Sequence, residues 1–133
     1  MRHRASCQCG ALSLEAVSDP ELVIACNCRA CQRRTGAAFG VGVLFPGSAV
    51  RIEGDSRAWS RVAESGRQMT SHFCPVCGTS LFWLPEMRPG HVIVALGCLE
   101  TEVAAPSRVI WAEAQHDWVR FPEHLPHYEK AAP

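Results

Sequence analysis

Eight cysteines constrain this chain more than any other feature, because seven of them fall in three tight clusters. Cys7 and Cys9 form the first, Cys26, Cys28 and Cys31 the second, and Cys74 and Cys77 the third, while Cys98 stands alone. Disulfide frameworks have no need of such close spacing, but metal sites usually show it. The opening "MRHRASCQCG" runs straight into cysteines with no apolar signal-peptide stretch, so a cytoplasmic, reducing setting is expected. A secreted disulfide protein is the competing reading.

The spacings suggest how the thiols divide. A Cys-x-Cys pair on a strand projects both side chains to one face, so Cys7 and Cys9 are expected to point the same way. "CPVCGT", from Cys74 to Thr79, has the form of a zinc knuckle: Pro75 helps set the turn and Gly78 lets amides approach the sulfurs. Together the two pairs make a closed four-thiolate site of the structural type. That leaves Cys26, Cys28 and Cys31 in "CNCRAC", three ligands with one position open, as in a catalytic zinc site. Two alternatives stand beside this. A fourth ligand closes the site, from Cys98, His72, His91 or His116, or else Cys7 and Cys9 join Cys26 and Cys28 instead. An almost all-thiolate centre acidifies bound water poorly and suits a soft ligand, so a substrate thiolate is the natural occupant. Iron is also chemically reasonable in such a site.

The rest of the chain reads as one mostly-β domain over 1–133, with its core over about 6–128 and 129–133 as a loose tail. "GALSLEAV" alternates with period two, and "ELVIAC", "AFGVGVLF", "RQMTSHFC", "TSLFW", "HVIVAL" and "SRVIWAEA" are short apolar pieces bounded by turn residues. Roughly eight to eleven short strands are expected on this punctuation. "RACQRRTG" predicts a turn or so of helix stopped by Gly36, and "PHYEKAAP" another. The 13 basic and 13 acidic residues balance, and no basic run exceeds the pair Arg33–Arg34, which argues against nucleic acid as a partner. The longest apolar run, "VIVALGCL", is too short to cross a bilayer.

In order and spacing, "CQCGAL", "CNCRACQRRTGAAF", "HFCPVCGTSLFW" and "VIVALGCLE" resemble the family of glutathione-dependent formaldehyde-activating enzymes, which includes centromere protein V. The resemblance runs from about Ser6 to Tyr128 and implies a β-tent fold of short antiparallel strands. By position it implies that Cys7, Cys9, Cys74 and Cys77 hold a structural zinc and that Cys26, Cys28 and Cys31 hold a catalytic one, two per chain. The implied activity is that of a carbon–sulfur lyase, S-(hydroxymethyl)glutathione synthase, with glutathione as the thiol partner and formaldehyde as the aldehyde. Val109 stands where a histidine is frequent in the family. The alternative function is a non-catalytic zinc module that binds a protein partner.

Further residues are candidates by position. Arg33, Arg34 and Thr35 follow the three-cysteine cluster and are placed to bind a substrate carboxylate or to hydrogen-bond the thiolates, with Thr35 the candidate catalytic residue. His72, two residues before Cys74, shares its strand face if the strand runs that far. Phe39, Phe73, Phe82 and Trp83 are expected in the core or walling a pocket, Trp59, Trp111 and Trp118 in the core, and Cys98 as a buried free thiol. His116, His124 and His127 are expected on the surface.

Overall fold

The computed structural model describes residues Met1–Pro133 and contains ten strands and one α-helix. In chain order these are β1 (His3–Ser6), β2 (Ser13–Ala16), β3 (Leu22–Cys26), α1 (Arg29–Thr35), β4 (Gly40–Pro46) and β5 (Val50–Glu53). They continue as β6 (Arg57–Val62), β7 (Gln68–Phe73), β8 (Ser80–Pro85), β9 (His91–Ala95) and β10 (Arg108–Ile110). Three strands form one sheet, in the order β1-β2-β5, and seven the other, in the order β10-β3-β4-β9-β8-β7-β6. Every pairing is antiparallel except β10 with β3, which is parallel. No helix is long and apolar enough to cross a membrane.

The strand alternation in the sequence is the burial alternation in the fold. Val23 and Ala25 of β3, and Val92 and Val94 of β9, face inward with polar or part-exposed neighbours between them. Central β4 buries Val43, Leu44 and Phe45 in succession, because both of its faces are covered. The core lies between the sheets: Ala5, Leu12 and Leu14 from the small sheet side meet Val43, Phe45, Leu81 and Val94. Removing these side chains from water supplies about 25 cal/mol for each Å² of apolar surface buried. Cys7 and Cys74 belong to this cluster, so the first and third cysteine groups are rooted in the core.

Several expectations need correction. Cys7 and Cys9 do not lie on a strand: β1 ends at Ser6, and both sit in the β1–β2 turn, where Gly10 N–H bonds Cys7 O at 3.1 Å. Their sulfurs converge through the turn and not through the pleat. The predicted C-terminal helix is absent. That segment runs extended beside β10 instead, with Val109 N–H bonding Pro126 O and Tyr128 N–H bonding Val109 O, each at 2.9 Å. The ladder reaches into the stretch expected as a tail, since Lys130 O accepts from Trp111 N–H at 3.0 Å. Trp59 and Trp118 are not core residues, being 62% and 73% exposed. Trp59 lies on edge strand β6, whose outer face nothing covers.

Candidate metal centres

Two turns build the four-cysteine cluster. The β1–β2 turn carries Cys7 and Cys9, and the β7–β8 turn carries Cys74 and Cys77. Cys9 Sγ is 3.7 Å from both Cys7 Sγ and Cys74 Sγ, and all four sulfurs lie within 4.8 Å of one another. Zn–S bonds of about 2.3 Å in a tetrahedron put sulfurs about 3.8 Å apart, so the donors are already spaced for such an ion. Backbone amides serve the sulfurs: Leu12 N–H points to Cys7 Sγ at 3.2 Å and Val76 N–H to Cys74 Sγ at 3.4 Å. Gly78 closes the knuckle at φ +80°, a left-handed conformation that favours glycine, and its N–H bonds Cys74 O at 2.9 Å. Thr79 ties the two turns together, because its Oγ1 accepts from Gln8 N–H at 3.1 Å and lies 3.2 Å from Cys77 Sγ. That hydroxyl and the Thr79 backbone hold the Cys77 thiol down to about 5.

Helix α1 builds the three-cysteine cluster. Cys26 ends β3, Cys28 caps α1, and Cys31 follows one turn on, so their three sulfurs lie within 4.8 Å of one another. Cys31 N–H points to Cys28 Sγ at 3.3 Å. Helix termination is as expected: Gly36 at φ +64° sends its N–H back to Gln32 O at 2.8 Å. Three thiols this close cannot all ionise without a cation among them. The neighbouring Cys26 and Cys31 thiols push Cys28 far down, and the Cys28 thiolate in turn pushes Cys26 far up. A divalent cation removes that conflict, which is why this donor set fits a metal. No fourth His, Cys, Asp or Glu ligand atom joins the group. Each named alternative is engaged elsewhere: His72 with Ser56 Oγ at 3.0 Å, His91 with Glu21 at 2.9 Å, His116 with Gln32 Oε1 at 3.0 Å, and Cys98 with Ser80 O at 3.9 Å.

Residues 2–114 match the family described as glutathione-dependent formaldehyde-activating enzyme. The chain belongs to that family. No match was found among curated proteins. Among solved structures, the chain is similar to the crystal structure of a Rhodobacter sphaeroides protein at 20% identity and a TM-score of 0.58, covering 74% of this chain and 89% of that one. At that identity the likeness concerns the fold alone.

In this member of the glutathione-dependent formaldehyde-activating family, the remaining candidates divide. Thr35 directs its hydroxyl to Cys31 O at 2.8 Å and accepts from Ala37 N–H at 3.1 Å, so it braces the end of α1. His72 stacks on Phe82 with ring centroids 4.6 Å apart, but a bulge between His72 and Phe73 takes Cys74 off the strand. Val109 is fully buried opposite Ala25 in the β10–β3 pair. Cys98 is only part-buried, and His116, His124 and His127 are exposed as expected.

Two polar residues, one inside the cysteine segment and one directly after it, were passed over in the sequence. Gln32 is buried and gives Nε2 to Asn27 O at 2.8 Å and to Ala114 O at 3.2 Å, while its Oε1 accepts from Arg29 Nη1 at 3.0 Å and faces His116 Nε2 at the same distance. Asn27, between Cys26 and Cys28, is fully buried and gives both its backbone N–H and its Nδ2 to Ile110 O, at 3.1 and 3.2 Å. These two fasten the three-cysteine segment to β10 and the chain beyond it. A glutamine on a short helix among arginines carries no sequence signal of burial; the only hint was its place one residue after Cys31.

Proposed function

We propose that this protein is a zinc-dependent, carbon–sulfur lyase-like enzyme acting on a thiol adduct, similar to S-(hydroxymethyl)glutathione synthase. The reading assigns one structural zinc to Cys7, Cys9, Cys74 and Cys77 and one catalytic zinc to Cys26, Cys28 and Cys31. The single observation that carries it is the contrast between a complete set of four thiols and a set of three that no fourth ligand atom joins. Zinc at the three-cysteine site would supply a positive centre with a free position, able to hold a thiol as its thiolate.

The chain's own residues do the rest. Asn27 and Gln32 hold the backbone of the cysteine segment rigid, so that the open side of the cluster keeps one direction. Thr35 donates its hydroxyl hydrogen bond to Cys31 O, so its part is to fix the helical turn that carries Cys31. In the proposed reaction the thiol sulfur bonds to the aldehyde carbon and the carbonyl π pair moves to oxygen. The proton released by the thiol ends on that oxygen, giving an S-hydroxymethyl adduct with all atoms accounted for. A thiol with its own carbon–oxygen functions, such as glutathione, suits a site whose neighbouring cleft carries Arg34, Thr35, Thr79 and Ser80 among apolar side chains.

The test has two parts. Metal analysis of protein purified without added zinc should give two ions per chain, falling to one in Cys28→Ser. One ion in both proteins removes the catalytic site. Calorimetric titration with glutathione and small thiols should then show binding to the wild type that Cys28→Ser abolishes.

A further inference from the structure

Arg34 is the one charged side chain lining a cleft of about 410 Å³ that opens between the stretch after Cys31 and the stretch after Cys77. The cleft does not lie over the three sulfurs themselves; Arg34 and Thr35, one turn beyond Cys31, form its near wall. Gly78 and Thr79 line another part of it. No aspartate or glutamate lines it, so no carboxylate competes there for the guanidinium.

The guanidinium is held in place by an aromatic face and not by a carboxylate. Its central carbon lies 4.0 Å from the centroid of the Trp83 ring. A stacked guanidinium keeps its in-plane N–H donors free for a planar anion. Arg34 takes part in none of the chain's ion pairs.

Two glycines on one face of β4 make the seat. A side-chain carbon at Gly40 would come within 2.8 Å of Arg34 Nη2 and 3.5 Å of Cys31 Cβ. One at Gly42 would come within 3.1 Å of Trp83 Cζ2 and 2.7 Å of Ile93 Cγ2. The bare strand therefore lets the Arg34–Trp83 pair lie flat, and Gly40 is where the guanidinium and the base of Cys31 converge.

We propose that Arg34 is the specificity-determining residue of the thiol site, receiving a carboxylate carried by the substrate thiol, so that the site selects acidic thiols over neutral ones. The inference rests on the reading that a thiol is held at Cys26, Cys28 and Cys31. It adds the chemical class of that thiol and the residue that reads it. A fork of two parallel N–H donors on a carboxylate, in a partly enclosed wall, is worth about a tenfold preference or more.

Calorimetric titration of the zinc-loaded protein with 3-mercaptopropionate and with 3-mercaptopropan-1-ol tests this, since the two differ only at the end away from sulfur. The wild type should bind the carboxylate about tenfold more tightly. Arg34→Gln should bind both at the neutral thiol's affinity, and Gly40→Ala, which displaces the guanidinium, should lose preference while keeping both metals. The comparison within the wild type needs no variant to fold. Equal affinities there, or a preference that survives Arg34→Gln, overturn the role of Arg34 and leave the thiol site standing. Binding of neither thiol overturns the thiol site and this inference together.

Discussion

Cys9 Sγ lies 3.7 Å from Cys74 Sγ, although 65 positions of sequence separate the two residues. The contact joins the β1–β2 turn within the small sheet to the turn between β7 and β8 of the large one. A metal held there ties both sheets across the core that Cys7 and Cys74 themselves help to form. Binding energy at such a site is folding energy, because the unfolded chain has no preformed cluster.

Cys74→Ser is therefore expected to cost at least about 3 kcal/mol of stability, beyond the usual range for a single substitution. A chelator strong enough to strip the ion should do the same to the wild type. Denaturant unfolding followed by tryptophan fluorescence, with and without chelator, measures both. A Cys74→Ser protein as stable as the wild type would show that the four-thiol cluster carries no structural ion.

Thr79→Val keeps the volume but loses the hydroxyl that accepts from Gln8 N–H and lies against Cys77 Sγ. The expected loss is about 1–2 kcal/mol. Without that hydroxyl the Cys77 thiol is harder to ionise, since the Thr79 hydroxyl is the largest cause holding it down. Metal release on acidification, followed with a chromogenic chelator, should begin at higher pH than in the wild type.

Gln32→Leu removes the hub between α1 and the chain after β10. It strands the carbonyls of Asn27 and Ala114 and releases the exposed side chains of Arg29 and His116 to water. The expected cost is about 1–3 kcal/mol. Competition with a graded series of chelators should show weaker metal retention in the three-cysteine site, with the four-cysteine site unaffected.

His3 and Asp19 give an effect that depends on pH. The His3 ring is buried between Thr101 Oγ1 at 2.8 Å and Asp19 Oδ1 at 2.9 Å. The hydrogen bond from His3 holds the Asp19 carboxyl below the usual carboxylate range. A depressed carboxyl contributes stability that is fully present above its unfolded pKa and is lost as pH falls through the folded one. Asp19→Asn should thus be less stable than the wild type at pH 6, with the gap closing toward pH 3. Subtracting the two unfolding curves at each pH cancels the metal contribution common to both.

Much of the site was legible because its parts are local. The spacing of Cys26, Cys28 and Cys31 is short enough that a single β3–α1 junction delivers all three sulfurs. Gly36 ends α1 where a left-handed residue is needed, and the alternation of β3 and β9 predicts which residues face the core. Cys7 and Cys9 were grouped correctly for the wrong reason: the strand geometry assumed for them is a turn, yet a two-residue separation brings sulfurs together in either. Exposure was less legible. Tryptophan burial depends on what lies opposite, and nothing lies over the edge strand that carries Trp59.

The amino-acid sequence by itself determined which cysteines form local donor groups, where the one helix stops, and that the chain builds short strands. These follow from spacing, backbone conformation and side-chain period, which act over a few residues. Tertiary structure decided between the two pairings that the sequence left open, bringing the Cys7–Cys9 turn to Cys74 and Cys77, the favoured partners, and not to Cys26 and Cys28. It also decided that the C-terminal segment, read as helix, pairs with β10, and that Gly40 and Gly42 leave a seat for Arg34 on Trp83. The reason is the same in each case: such contacts depend on strand order and register across the whole sheet, a balance of many distant pairings that no local window of sequence contains.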